Sequence, residues 1–319
     1  MTTQAAENLV CNVCEKPTTY DVADDVRLVP SNVRKFQQEQ FTVWRCRNCQ
    51  SLHSKEAVDL EHYYSFYPYK NHSLNIYTRL AYRNRLRSLM QKGLRKTQSI
   101  LDFGCGEGLF VQFLKDKGYH GAKGYDPYNS EFNHSKVLEQ EYDMICTYDV
   151  IEHVPEPREM LKQLESVLKL GGQLIIGTPN ASRIDLRDKG NPSPELHQPY
   201  HQHILSEQAL IELATALHLQ PIDSTDKYFW DTPFPLVNTR FIWSYVHHMD
   251  DCVDSLIEPI LFSEIFRKPR LLMHALFGYW IPVRIFMFLT FRKAEVTSKS
   301  QENVEEVHTY SESRKRRAG

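Results

Sequence analysis

The stretch Asp102-Phe103-Gly104-Cys105-Gly106-Glu107-Gly108 constrains this chain more than any other. It follows the apolar run Ser99 to Gly104 and leads into Leu109, Phe110, Phe113 and Leu114, which share one face of a helix predicted to stop at Gly118. Strand, glycine turn, helix is the arrangement in which a backbone can approach a ligand and a helix N-terminus can favour its negative group. The turn lacks the Lys-Ser/Thr ending of a phosphate loop, and it reads G-x-G-x-G where dinucleotide folds read G-x-G-x-x-G. Asp126 ends the next apolar run, about 20 residues on, where a carboxylate can accept both hydroxyls of a ribose. The pattern predicts an adenosine ligand with a free ribose.

The alternation continues. Ala122 to Pro127, Tyr142 to Asp149 and Gln173 to Asn180 read as further strands, mostly apolar throughout as expected when helices cover both faces. Met160, Leu161, Leu164, Val167 and Leu168 mark a helix that Gly171 and Gly172 are expected to close. Helices over 206–217 and 78–96 flank the unit. An α/β fold with a doubly wound sheet over about 76–226 follows. The chain's 319 residues leave room for about one more domain. A composition of 41% apolar and 24% charged residues excludes a disordered or collagen-like chain, and a net charge of −2 excludes a global basic field for nucleic acid.

Before this unit, residues 1–75 carry four of the seven cysteines. Cys11-x2-Cys14 and Cys46-x2-Cys49 lie 31 residues apart, and each pair can present two thiolates to one tetrahedral zinc. Four thiolates leave no open coordination position, so the expected zinc is structural; the competing reading is two pairs of ordinary buried cysteines. Five basic residues between the pairs are matched by five acidic ones. This ribbon therefore carries no phosphate footprint, and a scaffold or lid role is expected. The polar N-terminus MTTQAAENLV and the odd cysteine count lead us to expect a reducing cytoplasm.

Taken together, ILDFGCGEG, GYDP, YDMICTYDVIEHV and LKLGGQLIIGTPN resemble the sequential motifs of class I S-adenosylmethionine-dependent methyltransferases, over about 99–180. The resemblance implies a Rossmann-like fold in which Asp102, Gly104, Gly106 and Gly108 surround the methionine moiety of S-adenosylmethionine and Asp126 holds the ribose. Tyr148 and Asp149 would lie on the rim. The Asn/Asp-Pro-Pro-Tyr type motif of exocyclic-amine enzymes is absent after the fourth strand, and Glu152 to Pro155 resembles small-molecule methyltransferases, quinone-pathway and sugar enzymes among them. Tyr200-His201-Gln202-His203 resembles the Tyr-His-Glu-His motif of sugar C-methyltransferases, which also join a four-cysteine zinc subdomain to a tyrosine pair like Tyr67-Pro68-Tyr69. That likeness implies substrate-side roles for His203, Gln202, Tyr67 and Tyr69. Two departures weaken the substrate part: Gln202 replaces an acid, and the large C-terminal domain of those enzymes is missing.

The acceptor side is expected where three histidines, His197, His201 and His203, follow the strand 173–180. His203 or His201, or His153 from the loop after the fourth strand, would be the general base, with Tyr67 and Tyr69 closing over the acceptor. Any one of these histidines could equally be a satisfied core residue. Between Arg79 and Lys96 seven basic residues occur with no acid. Arg79, Arg83 and Arg87 share a face that could grip a phosphate or nucleotide group of the acceptor, touch anionic lipid or RNA, or be simply solvated.

Residues 227–293 read as a helical, aromatic cap with 15 of the 37 aromatic residues. Within it, 271–291 is long enough to span a bilayer, but Arg284 would cost at least about 2.5 kcal/mol there. A soluble cap or an interfacial membrane contact is the better reading. The polar tail 294–319 is expected to be disordered.

The expected function is methyl transfer from S-adenosylmethionine to an oxygen or carbon of a small molecule, most of all a sugar, glycan-pathway or secondary metabolite. An RNA methyltransferase with a zinc ribbon and a non-catalytic binding module are the rivals. No DNA partner is expected, and the neutral ribbon speaks against RNA. The location would be cytoplasmic, or peripheral at the inner membrane surface.

Overall fold

In a computed structural model the chain is described over residues 9–18, 25–66, 74–188 and 194–295. Tyr67 and Tyr69, and all of the tail from 296 onward, lie outside these residues.

The N-terminal unit opens with a hairpin of β1 (Leu9–Val10) and β2 (Pro17–Thr18), whose turn carries Cys11 and Cys14. Strands β3 (Val26–Pro30), β4 (Gln40–Arg45) and β5 (Leu52–Ser54) form an antiparallel sheet, followed by the short helix α1 (Leu60–Ser65). Helix α2 (Ile76–Gln91), capped by the Asn75 side chain on Thr78 N, leads into the central sheet.

That sheet is built from β6 (Ile100–Phe103), helix α3 (Leu109–Asp116), β7 (Ala122–Tyr125), β8 (Tyr142–Tyr148), helix α4 (Pro157–Ser166) and β9 (Leu168–Pro179). After them come β10 (His203–Ile204), α5 (Glu207–Thr215) and β11 (Leu219–Thr225). Helices α6 (Thr239–His248), α7 (Phe262–Arg267) and α8 (Pro269–Phe277) then precede β12 (Phe286–Lys293). The six-stranded order is β11-β12-β9-β8-β6-β7. Strands β7, β6, β8 and β9 are parallel, with β7 at the sheet edge, while β12 runs antiparallel to both of its neighbours. Successive residues feed opposite faces. Ile100, Met144 and Ile175 pack with Leu89, Phe110 and Leu114 under α2 and α3, whereas Leu101, Ile145 and Ile176 pack with Leu161, Leu164 and Leu210 under α4 and α5. The doubly wound α/β expectation is met.

Three expectations need correction. Gly171 and Gly172 do not close the fourth-strand helix, which ends at Ser166; they lie inside β9, where Gly171 has φ +74°. The β8 and β9 register jumps from Tyr142 opposite Leu168 to Met144 opposite Gln173, so the glycines serve a bulge. Second, the apolar run 271–291 is not one helix. It breaks after α8 at the short turn Gly278–Trp280, and its second half is β12, an inner strand of the sheet, so the helical cap ends before 286. Among the described residues no helix is long and apolar enough to cross a membrane. Third, the N-terminal unit does not end at about 75. β10 pairs with β5, with His203 opposite His53, so the loop after β9 supplies its fourth strand. Val29, Val43 and Leu52 accordingly share a core with Ile184, Leu186, Leu196 and Ile204.

Candidate active site

The glycine turn between β6 and α3 is held by its own backbone. Gly104 N and Cys105 N both donate to Tyr125 O, at 2.7 and 3.1 Å, which binds the turn to the end of β7. Gly104, Gly106 and Gly108 all have positive φ, at 76, 53 and 67°. A Cβ on Gly104 would lie 2.2 Å from Val150 and one on Gly108 2.0 Å from the Phe132 ring, whereas one on Gly106 would meet nothing within 4 Å. The first and third glycines are required by close packing, and the middle one borders open space in which a ligand can approach the backbone. Asp126 stands at that space: Oδ2 accepts from Gly106 N and Oδ1 from Tyr128 N, both at 2.9 Å. A carboxylate so oriented retains lone pairs for a diol. These residues fit S-adenosylmethionine.

Asp102 is buried, and its Oδ1 accepts from Arg85 Nη2 at 2.7 Å. The Arg85 guanidinium is flanked by the rings of Phe110 and Tyr148, 3.8 and 4.0 Å from their centroids. One member of the basic helix is therefore the internal counter-ion of the first-strand acid. Arg79 faces Asp116 at 3.5 Å across the surface, and Arg83 and Arg87 are exposed. Tyr148, partly exposed, also stacks on Phe229 (5.8 Å). Asp149, with φ +55°, accepts from the Tyr228 hydroxyl at 2.8 Å, and burial pushes its carboxyl up to about 6.

The loop after β8 meets the segment after β9 in a polar, mostly buried cluster. Glu152 is fully buried; its Oε2 accepts from Thr178 at 3.0 Å and its Oε1 has no hydrogen-bond partner. Burial, and then the nearby Asp149, raise this carboxyl well above its ordinary range. His153 and His201 meet edge to face at 4.6 Å. One ligand atom from each of Glu152, His153 and His201 lies within 4.8 Å of the others, a set that could also hold a divalent cation. His201 Nδ1 lies 2.6 Å from Glu195 O, which can only accept, so this nitrogen carries the proton and Nε2 keeps its lone pair. His153 Nδ1 bonds the Tyr64 hydroxyl at 2.9 Å, and the Tyr64 ring stacks on Tyr128 at 5.4 Å, next to Asp126. Tyr64 thus links the ribose side of the cradle to the histidines.

His203 is placed differently. Its Nε2 donates to Ile151 O at 3.0 Å, and Nδ1, its lone-pair nitrogen, is sealed without a hydrogen-bond partner. Burial pushes His203 down to about 3 and His201 down to about 4. Gln202 Nε2 donates to His153 O at 3.0 Å, a structural contact in place of an acid. Reading the sequence alone missed Arg85 as a buried counter-ion, and Tyr64, Tyr228 and Glu195 as neighbours of the site. Only the density of tyrosines near 63–69 hinted at one of them.

The four cysteines do converge. Cys11 and Cys49 Sγ lie 3.6 Å apart, and Cys14 and Cys46 Sγ 3.9 Å. A tetrahedron with zinc–sulfur bonds of about 2.3 Å has edges of about 3.8 Å. The donor set fits the ion, and His53 Nε2, 3.2 Å from Cys11 Sγ, can donate to a ligating thiolate.

Residues 69–223 match the family model for "Methyltransferase domain". This stretch, just under half of the chain, is similar to methyltransferase domains. Ubiquinone biosynthesis O-methyltransferase from Coxiella burnetii is 30% identical over 119 residues, covering 30% of this chain and 50% of that protein. The corresponding enzyme of Aeromonas salmonicida is 24% identical over 102 residues, 25% of this chain and 43% of that one. The chain spans about half the length of the curated relatives it matches. Among solved structures, the 1,6-didemethyltoxoflavin-N1-methyltransferase of Burkholderia thailandensis covers 80% of this chain and 96% of its own, at 13% identity and a TM-score of 0.42. The methyltransferase domain starts before α2 and stops within β11, so the cysteine sheet and the α6–α8 segment are additions to it.

Proposed function

We propose that this protein binds S-adenosylmethionine and catalyses transfer of its methyl group to a hydroxyl oxygen of a small-molecule acceptor. The observation that supports this reading is the juxtaposition, through Tyr64, of the glycine and Asp126 cradle with the Glu152, His153 and His201 cluster. The bound cofactor supplies an electrophilic methyl on a sulfonium. Gly106 and Asp126 hold its nucleoside. His201 Nε2, or His153 beside it, would accept the hydroxyl proton of an acceptor whose oxygen faces that methyl. Burial keeps both imidazoles unprotonated at neutral pH, ready to act as bases. His203 is assigned a positioning role on the Ile151 carbonyl. Tyr67 and Tyr69 are proposed to cover the acceptor.

Oxygen is favoured over carbon because the curated relatives named above are O-methyltransferases. A sugar or related polyol is the proposed acceptor class, on the likeness of Tyr200-His201-Gln202-His203 to the sugar enzymes. The cysteine site is proposed to hold one structural zinc. Calorimetry should show micromolar binding of S-adenosylmethionine and of S-adenosylhomocysteine. Labelled cofactor should then methylate the small-metabolite fraction of an extract. Tighter binding of NAD, or label appearing only in RNA, would overturn the reading.

A further inference from the structure

Nine of the 17 large apolar side chains exposed among the described residues fall within 257–281, although this segment is less than a tenth of the chain. They are arranged, not scattered. On α7, Phe262 and Phe266 are four residues apart; on α8, Met273 and Phe277 are four apart with Arg270 three before Met273, so each group shares a helix face. The opposite faces are accounted for: Ile265, Leu271 and Ala275 are buried against Phe241 and Tyr245 of α6. Trp280, 65% exposed and 6.0 Å from the Phe277 ring, extends the apolar face beyond α8. An area of this kind, carried by two short amphipathic helices, is the mark of an interaction surface.

The charges on this surface select the partner. Lys268 and Arg270, at the junction of α7 and α8, are exposed and make no ion pair among the described residues. The two acids of the segment are already engaged, Glu258 by Arg34 and Glu264 by His248 and Arg267. A second copy of the chain would bring the same unmatched cations with no acid to answer them. An anionic bilayer answers both features, with headgroups for Lys268 and Arg270 and the acyl boundary for Phe266, Phe277 and Trp280. We propose that the α7–α8 face docks on a membrane surface containing anionic phospholipid. Lys268 and Arg270 also line a cleft of about 870 Å³, together with Trp243, His274, Ile285 and Glu195. Glu195 is the residue whose carbonyl holds His201, so docking would turn the mouth of this cleft, and with it the back of the histidine cluster, towards the lipid.

The test uses the full chain and needs no methyl acceptor, so it is independent of the proposed activity. The protein is sedimented with vesicles of phosphatidylcholine alone, or with about a quarter of it replaced by phosphatidylglycerol. Binding is expected only to the anionic vesicles and should weaken as salt rises. The double variant Lys268→Gln/Arg270→Gln should lower the partition coefficient about 30-fold, from roughly 1 kcal/mol per cation. Phe277→Ser/Trp280→Ser should abolish it, with circular dichroism confirming that both variants fold. Wild-type protein left in the supernatant with both vesicle types would overturn the proposal. So would equal binding to neutral vesicles, or a dimer in sedimentation velocity that Phe277→Ser dissociates.

Discussion

The proposed cofactor cradle and the proposed acceptor cluster occupy the same sheet edge but are built in opposite ways. From Asp102 to Asp126 the cradle is a nearly continuous piece of chain, held by hydrogen bonds between neighbours such as Gly106 N to Asp126. The acceptor cluster is assembled from distant pieces: Tyr64 on His153, Asn32 on His197, β10 on β5, and Arg45 donating to Ala181 O at 3.1 Å. The first is a property of the methyltransferase domain alone. The second exists only because the cysteine sheet is folded against that domain.

If so, the largest effect should come from metal removal. Structural zinc contributes on the order of 10 kcal/mol to small domains, so chelation, or Cys46→Ser, should unfold the N-terminal sheet and free β10. Methyl transfer should vanish while calorimetry still detects S-adenosylhomocysteine. Simultaneous loss of both would mean that the two regions are not separable in this way.

Next in size, one of His201→Ala and His153→Ala, whichever removes the base, should lower kcat by about 10² to 10⁴ with cofactor affinity unchanged, and the other should lower it less. His203→Ala should instead lower Tm, because it breaks the bond to Ile151 O. A kcat loss confined to His203→Ala would reverse the assignment of these residues. On the other side of the comparison, Asp126→Ala should weaken cofactor binding by about 1.5 to 3 kcal/mol and leave zinc content unaltered. A variant with wild-type affinity would remove Asp126 from the ribose.

The smallest effect concerns Glu195, whose carboxyl burial pushes up to about 7. A folded-state value above the unfolded one means that the folded protein holds the extra proton between about 4.5 and 7, so stability is lost as pH rises through that window. Glu195→Gln should therefore stabilise the protein by up to about 3 kcal/mol at pH 8 and have little effect at pH 4, read from denaturant unfolding. The buried His201 and His203 act in the other sense. Their folded values lie below the unfolded one, so the stability they contribute is lost as pH falls from about 6.5 towards 4 and 3.

The same contrast explains what was legible in the sequence. The glycine turn, Asp126 and the four parallel strands are contiguous, and buried parallel strands announce themselves as unbroken apolar runs. The four cysteines were legible through spacing. By contrast, β10 has two residues and no pattern of its own, and Arg85 looked like one more member of a basic stripe because its acid lies 17 residues away in β6. The run 271–291 misled because an inner strand and a half-buried helix are both apolar. Only Pro282 marked the change between them.

The position of β12 bears on how the chain is made. Among the described residues β11 is hydrogen-bonded to no strand except β12, and β12 also covers the edge of β9, yet it follows every other described strand along the chain. A nascent chain that has emerged only as far as α8 holds β11 without a neighbour and β9 with its Leu174, Ile175 and Ile176 edge open. The methyltransferase sheet therefore closes only after the whole α6–α8 segment has left the ribosome, and a message truncated near codon 285 would yield a product with an open, apolar strand edge primed to aggregate.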